Sequence, residues 1–285
     1  MNSLKFLYQF SYNRKFPLFA LYRFFYWKII RLFKLKEVKY KLWKNRLLLL
    51  NYDSFQSMWV MYNYYVDWEE FNLISRYIKP GDVVFDIGAN MGFYTVWMSK
   101  FIGNGMVHSF EPDTKNFERL NKNIVLNGLT DHVISNNKAA ADVDGELAFT
   151  IGLDGENHIM NQAAENVITI QSLQMDNYVK QHHIDSIAYM KIDVEGFEYA
   201  VLKGADTILL NKKIDIIQLE INKTISNSGK SIRDLLELLS HYNYSLCSFD
   251  VDKNQLMATG FSPERENYFA THKLDAINEK LKIFV

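Results

Sequence analysis

The stretch Val83-Val-Phe-Asp-Ile-Gly-Ala-Asn-Met-Gly-Phe-Tyr-Thr95 decides how the rest of the chain is read. Val83–Ile87 is a short, continuous apolar run broken by one acid, Asp86, and it predicts a strand covered on both faces. A glycine-bearing turn follows, and helical spacing begins near Phe93. Gly88 permits a tight turn, and Gly92 lets the following helix pack close to the strand. In an open α/β sheet the carboxyl end of the first strand is where nucleotide-bearing ligands bind.

Further apolar runs lie at Met106–Phe110, Val133–Ala140, Ile187–Ile192, Ile214–Leu219, Tyr244–Phe249 and Tyr268–Ala270. Helical spacing occupies 93–101, 114–127, 197–210 and 231–242, and also Trp68–Ile78 ahead of the Pro80-Gly81 break. This alternation predicts a doubly wound sheet with right-handed crossovers and helices on both faces. Residues 141–172 interrupt it. Asp144-Gly145 reads as a turn feeding a strand, and Asp154-Gly155 with His158 reads as an irregular excursion near a ligand.

The spacing Gly88-x-x-x-Gly92 lacks the middle glycine of G-x-G-x-x-G, the one that lets backbone approach a pyrophosphate. Asp86 at the strand end suits a cationic ligand better, as S-adenosylmethionine (SAM) is. Glu111 closes the second strand in Ser-Phe-Glu-Pro112, 23 residues after Gly88, where a carboxylate accepts both ribose hydroxyls.

Four motifs in order then resemble the FkbM family of SAM-dependent methyltransferases. They are Asp86-Ile-Gly-Ala-Asn-x-Gly92, Phe110-Glu-Pro112, Ile192-Asp-Val-Glu-Gly-Phe-Glu198 and Leu202-Lys-Gly-Ala205, within a match over roughly residues 66–272. The resemblance implies a Rossmann-like class I methyltransferase domain over 66–285. Its seven-stranded, mostly parallel sheet would have an antiparallel last strand at Tyr268–Ala270. It implies O-methylation, often of sugar hydroxyls. The cofactor cradle would take Asp86, Gly88, Ala89, Asn90, Gly92, Tyr94, Thr95, Glu111 and Pro112, with Asn137 and Ala139 against the adenine.

An alcohol is a weak nucleophile and needs a base or a metal. Asp193 ends the fourth strand and Glu195 follows it, both candidates for the reacting centre; the bland alternative for Glu195 is a cap on the helix starting at Phe197. Lys191 alternates with Asp193 on one strand face, and its pairing is catalytic or structural. Glu220 closes the fifth strand. Asp193, Glu220 and Asn222 are hard oxygen ligands of the kind Mg²⁺ accepts, while Glu220 as a pocket wall is the simpler reading. His108 reads as core, His182-His183 as solvated loop and Cys247 as a buried spectator thiol. One cysteine excludes an intrachain disulfide and fits a reducing cytoplasm.

The net charge of −1 hides an asymmetry: residues 1–50 hold twelve Lys/Arg and one acid, giving +11. Of the 42 aromatic residues, 21 lie in the first 68. A basic, aromatic, helical extension over 1–65 follows, with Arg23, Lys28, Arg31 and Lys34 as a basic stripe on a helix over Phe16–Leu35. The stripe docks on an anionic membrane surface, at the inner face, or the helix packs on a partner subunit or in a core. No secretory signal or membrane span is expected, and no nucleic-acid partner. Two rivals stand beside the methyltransferase reading: a nicotinamide-dependent oxidoreductase, disfavoured by the missing glycine, and a SAM-binding scaffold without chemistry.

Overall fold

The computed structural model describes residues 7, 11–42, 45–63, 67–150, 159–160 and 167–283. The chain folds as two compact units, 1–68 and 69–285.

The first unit carries helices α1 (Ser11–Lys15) and α2 (Pro17–Leu32), the antiparallel hairpin β1 (Val38–Lys41) and β2 (Leu47–Leu50), and helix α3 (Phe55–Tyr62). Pro17 opens α2, where its fixed φ and missing N–H cost nothing. Helix α2 buries Ala20, Arg23, Phe24, Trp27 and Ile30. The expected basic stripe is therefore corrected. Arg23 is 1% exposed and donates to Asn13 Oδ1, whose amide in turn donates to the Leu7 and Tyr62 carbonyls at 2.8 and 2.9 Å. Lys34 lies beyond the helix end with φ +48°. A buried Arg anchored through one nitrogen to such a network is invisible to a wheel that treats every cation as solvated.

The second unit follows, beginning within helix α4 (Trp68–Tyr77). Strand β3 (Val83–Ile87), helix α5 (Phe93–Met98), β4 (Met106–Phe110), α6 (Thr114–Leu126) and β5 (Val133–Asn136) come first. Strands β6 (Ala139–Ala140), β7 (Gly145–Thr150), β8 (Ile159–Met160) and β9 (Val167–Leu173) come next. The remainder is α7 (Met175–Gln181), β10 (Ile187–Ile192), α8 (Glu198–Lys203), α9 (Asp206–Leu210), β11 (Ile214–Glu220), a 3₁₀ turn at Lys223–Ser228, α10 (Ile232–His241), β12 (Ser245–Asp250), β13 (Gln255–Ala258), β14 (Asn267–Thr271) and α11 (Leu274–Lys282).

The main sheet runs β13-β12-β14-β11-β10-β3-β4-β5. Strands β5, β4, β3, β10 and β11 are parallel, and β14 is antiparallel to both β11 and β12. The reversed strand is thus where the resemblance put it. The sheet has eight strands rather than the expected seven. A turn at Asp250–Asn254 folds β13 back on β12 as an edge hairpin, with Asp250 accepting the Lys253 N–H at 2.9 Å. Two other boundaries also change. The run Val133–Ala140 splits, because its second half leaves the main sheet to pair with β9. The helical stretch 197–210 splits, because Asp176 caps a fresh helix through the Thr207 and Ile208 N–H groups.

Strands β6-β9-β7-β8 form a second, four-stranded sheet inserted between β5 and β10, which is why residues 141–172 break the alternation. Asp154, Gly155 and His158 lie outside the described residues. His108 is buried in the main core with its Nδ1 at 2.8 Å from the Tyr178 hydroxyl, and burial pulls its pKa down to about 4. Cys247 is buried and its thiol is pushed up to about 11, as an inert thiol should be. His182 and His183 are exposed.

Candidate active site

The order of strands reverses direction between β3 and β10, the switch point outside whose carboxyl ends open α/β sheets bind their ligands. Gly88 lies at this point with φ +77°, and a Cβ added to it would stand 1.8 Å from the Asp193 carbonyl oxygen. The turn after β3 therefore presses on the backbone after β10, and no side chain fits between them. The turn is also tied to β4. The Gly88 and Ala89 N–H groups donate to the Phe110 carbonyl at 3.0 and 2.9 Å. The Asn90 N–H donates to Glu111 Oε2 at 2.7 Å, with Asn90 in the left-handed region at φ +50°. Gly92 caps α5 with φ +88°, and its close neighbour is Leu120 of α6 rather than the preceding strand.

Glu111 is buried, and its second oxygen accepts the Asp113 N–H at 2.9 Å. Each carboxylate oxygen holds one backbone donor and keeps a free lone pair for a ligand. Burial outweighs those two donors and pushes its pKa up to about 8. Asn137 donates to the Glu111 and Pro112 carbonyls at 2.8 and 3.1 Å, so it fixes the loop that carries Glu111. Ala139 packs in a small core with Phe149, Ile159, Ile170 and Phe197.

Asp86 differs from its expected role of facing a cationic ligand. It is fully buried, with Oδ2 accepting from the Thr95 hydroxyl at 2.6 Å. The cation that faces it is Lys191, its register partner on β10, with Nζ 3.8 Å from Oδ1. Burial raises the Asp86 pKa and Lys191 opposes that shift. Tyr94 is likewise buried. Lys191 Nζ sits 4.8 Å from its ring centroid, and the Tyr94 hydroxyl accepts from Gln218 Nε2 at 3.1 Å. Asp86, Tyr94 and Thr95 thus hold Lys191 and α5 in place instead of lining the crevice.

Lys191 also donates to Asp193 Oδ2 at 3.0 Å, and Asp193 is 41% exposed. Asp193, Glu195 and Glu220 each offer a carboxylate oxygen within 4.8 Å of the others. Burial, then the Asp193 and Glu195 charges and a hydrogen bond with Asp193, drive the Glu220 carboxyl well above the usual range. Asn222 Oδ1 accepts the Thr224 N–H and hydroxyl, capping the 3₁₀ turn. Glu195 is not the helix cap. Glu198 accepts the Val194 and Gly196 N–H groups, both at 3.2 Å, and burial pushes its pKa up to about 7. Sequence reasoning passed over Glu198. Its signal was an acid in the first turn of a helix after a glycine, where the dipole favours negative charge. Gln218, linking Tyr94 to Tyr189, carried no such signal.

A doubly wound sheet with a reversed strand between β11 and β12, and acids at the ends of β3, β4, β10 and β11, is the Rossmann-like fold of class I SAM-dependent methyltransferases. The family model described as the methyltransferase FkbM domain matches residues 86–246, more than half of the chain, and the chain belongs to that family. It is 24% identical over 192 residues to the hexuronic acid methyltransferase AglP of Haloferax volcanii, covering 67% of this chain and 75% of that protein. It is 27% identical over 164 residues to the 31-O-demethyl-FK506 methyltransferase FkbM of Streptomyces tacrolimicus, covering 45% of this chain and 61% of that one. The crystal structure of methyltransferase FkbM from Methylobacillus flagellatus KT aligns with a TM-score of 0.43 and 16% identity, over 67% of this chain and 43% of that chain. The chain thus spans less than two thirds of the second relative and of that crystallised chain.

Proposed function

We propose that this protein transfers a methyl group from SAM to a hydroxyl of a sugar, in a glycan, a nucleotide sugar or a glycosylated natural product. The observation that carries the reading is the set of acids that the strand ends bring together. Glu111, Asp193, Glu195 and Glu220 gather at the ends of β4, β10 and β11, with the Lys191 ammonium paired to Asp193. Such a donor set suits a sulfonium-bearing cofactor with a ribose diol and opposes a pyrophosphate, which disfavours the oxidoreductase rival. Glu111 would hold the ribose hydroxyls on its remaining lone pairs, and the backbone of residues 88–92 would border the cofactor. When bound, SAM supplies an electrophilic methyl group for in-line displacement.

The protein's own work is then to position the acceptor and take its proton. Asp193 is the base we favour. Half-exposed at the end of β10, it is oriented by Lys191 and backed by Glu220, whose raised pKa makes it a proton-holding neighbour rather than a rival base. The same three carboxylates supply oxygen ligands for a divalent cation, the second reading. Sugar as the acceptor class draws on the relative named for hexuronic acid, and O-methylation on the relative named for 31-O-demethyl-FK506.

Methyl-labelled SAM and uronic-acid-bearing oligosaccharides test the reading by mass spectrometry. Alkali-stable label on the sugar, lost in Asp193→Asn, is expected. An alkali-labile methyl ester would put transfer on the carboxylate instead, and no transfer to any saccharide would remove the sugar reading.

A further inference from the structure

Helix α2 buries the face that holds Arg23 and exposes a face that is apolar. Leu18, Tyr22, Phe25, Ile29 and Leu32 recur every three or four residues and are 81, 60, 58, 47 and 75% exposed. At 100° per residue they fall within an arc of about 80°. Phe33 prolongs the stripe past the helix end, and Tyr22 stacks on Tyr26 with centroids 5.9 Å apart. Isolated apolar side chains on a surface are ordinary, but a contiguous row on a four-turn helix marks a contact surface. Lys28 flanks the stripe on the helix, and Arg14, Lys15, Arg31, Lys34 and Lys36 are exposed in the same segment. No helix among the described residues is long and apolar enough to cross a membrane.

We propose that α2 lies in the plane of an anionic lipid surface. Leu18, Tyr22, Phe25, Ile29 and Leu32 enter the acyl boundary, and the exposed Lys and Arg of the segment meet the headgroups. Charge decides for lipid over a second copy of this chain. A two-fold contact through the stripe brings these cations toward their own equivalents, within a segment that carries +11 over residues 1–50. Anionic headgroups neutralise the same cations. The tyrosine on the stripe suits the interfacial depth, where an apolar ring and a hydroxyl are both solvated well.

Flotation of the full chain with phosphatidylcholine vesicles, with and without phosphatidylglycerol, tests this. Binding is expected on the anionic vesicles, at least about tenfold weaker on phosphatidylcholine alone, and weakened by salt. The double variant Phe25→Glu/Ile29→Glu replaces solvent-facing side chains and should lose binding at least about tenfold while keeping its circular dichroism and Tm. Leu18→Ser/Leu32→Ser serves if that variant fails to fold. Lys28→Glu/Arg31→Glu should reduce binding to anionic vesicles selectively. Failure of the wild-type chain to float, or full binding by a folded stripe variant, overturns the proposal. So does a dimer that becomes monomeric in the stripe variants while vesicle binding is absent, which would assign the face to a second copy.

Discussion

Lys191 and Asp193, two residues apart at the end of β10, form a 3.0 Å ion pair in which the ammonium is buried and the carboxylate is 41% exposed. The same ammonium stands 3.8 Å from the buried Asp86. One cation therefore compensates a buried acid in the scaffold and orients a half-exposed acid at the crevice.

Lys191→Met should destabilise the protein by about 3–5 kcal/mol, the cost of leaving a buried charge without its partner. Asp193→Asn should cost far less, because that partner is solvated. Urea denaturation of both variants measures the difference. Equal, small losses would mean that Lys191 is not needed to hold Asp86.

The closeness of β3 and β10 at the switch point makes Gly88 hard to replace. Gly88→Ala adds a methyl 1.8 Å from the Asp193 carbonyl oxygen and strains a backbone at φ +77°. The strain alone costs about 1–2 kcal/mol, and the clash adds to it. Gly229→Ala, at φ +73° with open space around it, carries the strain without the clash. A larger loss of stability and of SAM binding at Gly88 than at Gly229 is expected from paired melting and titration experiments. Matching losses would show that the two strand ends tolerate separation.

Much of this was legible in the sequence, because continuous apolar runs and glycine turns report strands and switch points directly. Gly88, Glu111, Asp193 and Glu220 fall at strand ends where the pattern changes. What the pattern could not convey was the direction of side chains within those ends. Asp86 and Asp193 read alike as strand-end acids, yet one pairs with Lys191 inside the sheet and the other opens to solvent. Tyr94 and Thr95 face inward for the same reason, since the first turn of α5 packs on the core. The wheel of α2 misled because periodicity shows that two faces exist and not which one is buried; only the Asn13 partner of Arg23 decides that.

Glu111 should give the ligand-free protein a distinctive pH dependence. Its pKa rises from 4.5 to about 8 on folding. The folded state thus favours the protonated carboxyl, and the stability this confers is complete below pH 4.5 and lost as pH climbs through about 8. Glu111→Gln should flatten the decline of Tm across that window. A ribose diol donates to the ionised form, so SAM binding at pH 7 should release protons, visible by calorimetry in buffers of different ionisation enthalpy. Binding without proton release would indicate a Glu111 that is already charged.

The carboxylate cluster separates base from metal. With Asp193 as base, turnover should survive EDTA, and Glu220→Gln, which mimics the protonated side chain, should retain most activity. Loss of turnover on chelation with recovery on adding Mg²⁺ or Mn²⁺, mimicked by Glu220→Gln, would instead make Asp193, Glu195 and Glu220 ligands.

Isothermal titration of SAM into the wild-type protein, Glu111→Ala and Asp193→Asn, with turnover measured in parallel, bears most directly on the division of the crevice into a cofactor cradle and a reacting end. Glu111→Ala should weaken binding by about 1–3 kcal/mol, the cost of losing hydrogen bonds to a charged group. Asp193→Asn should bind SAM normally and lose ~10²–10⁴ in turnover. Unchanged affinity in a folded Glu111→Ala, or near-normal turnover in Asp193→Asn, would contradict that division.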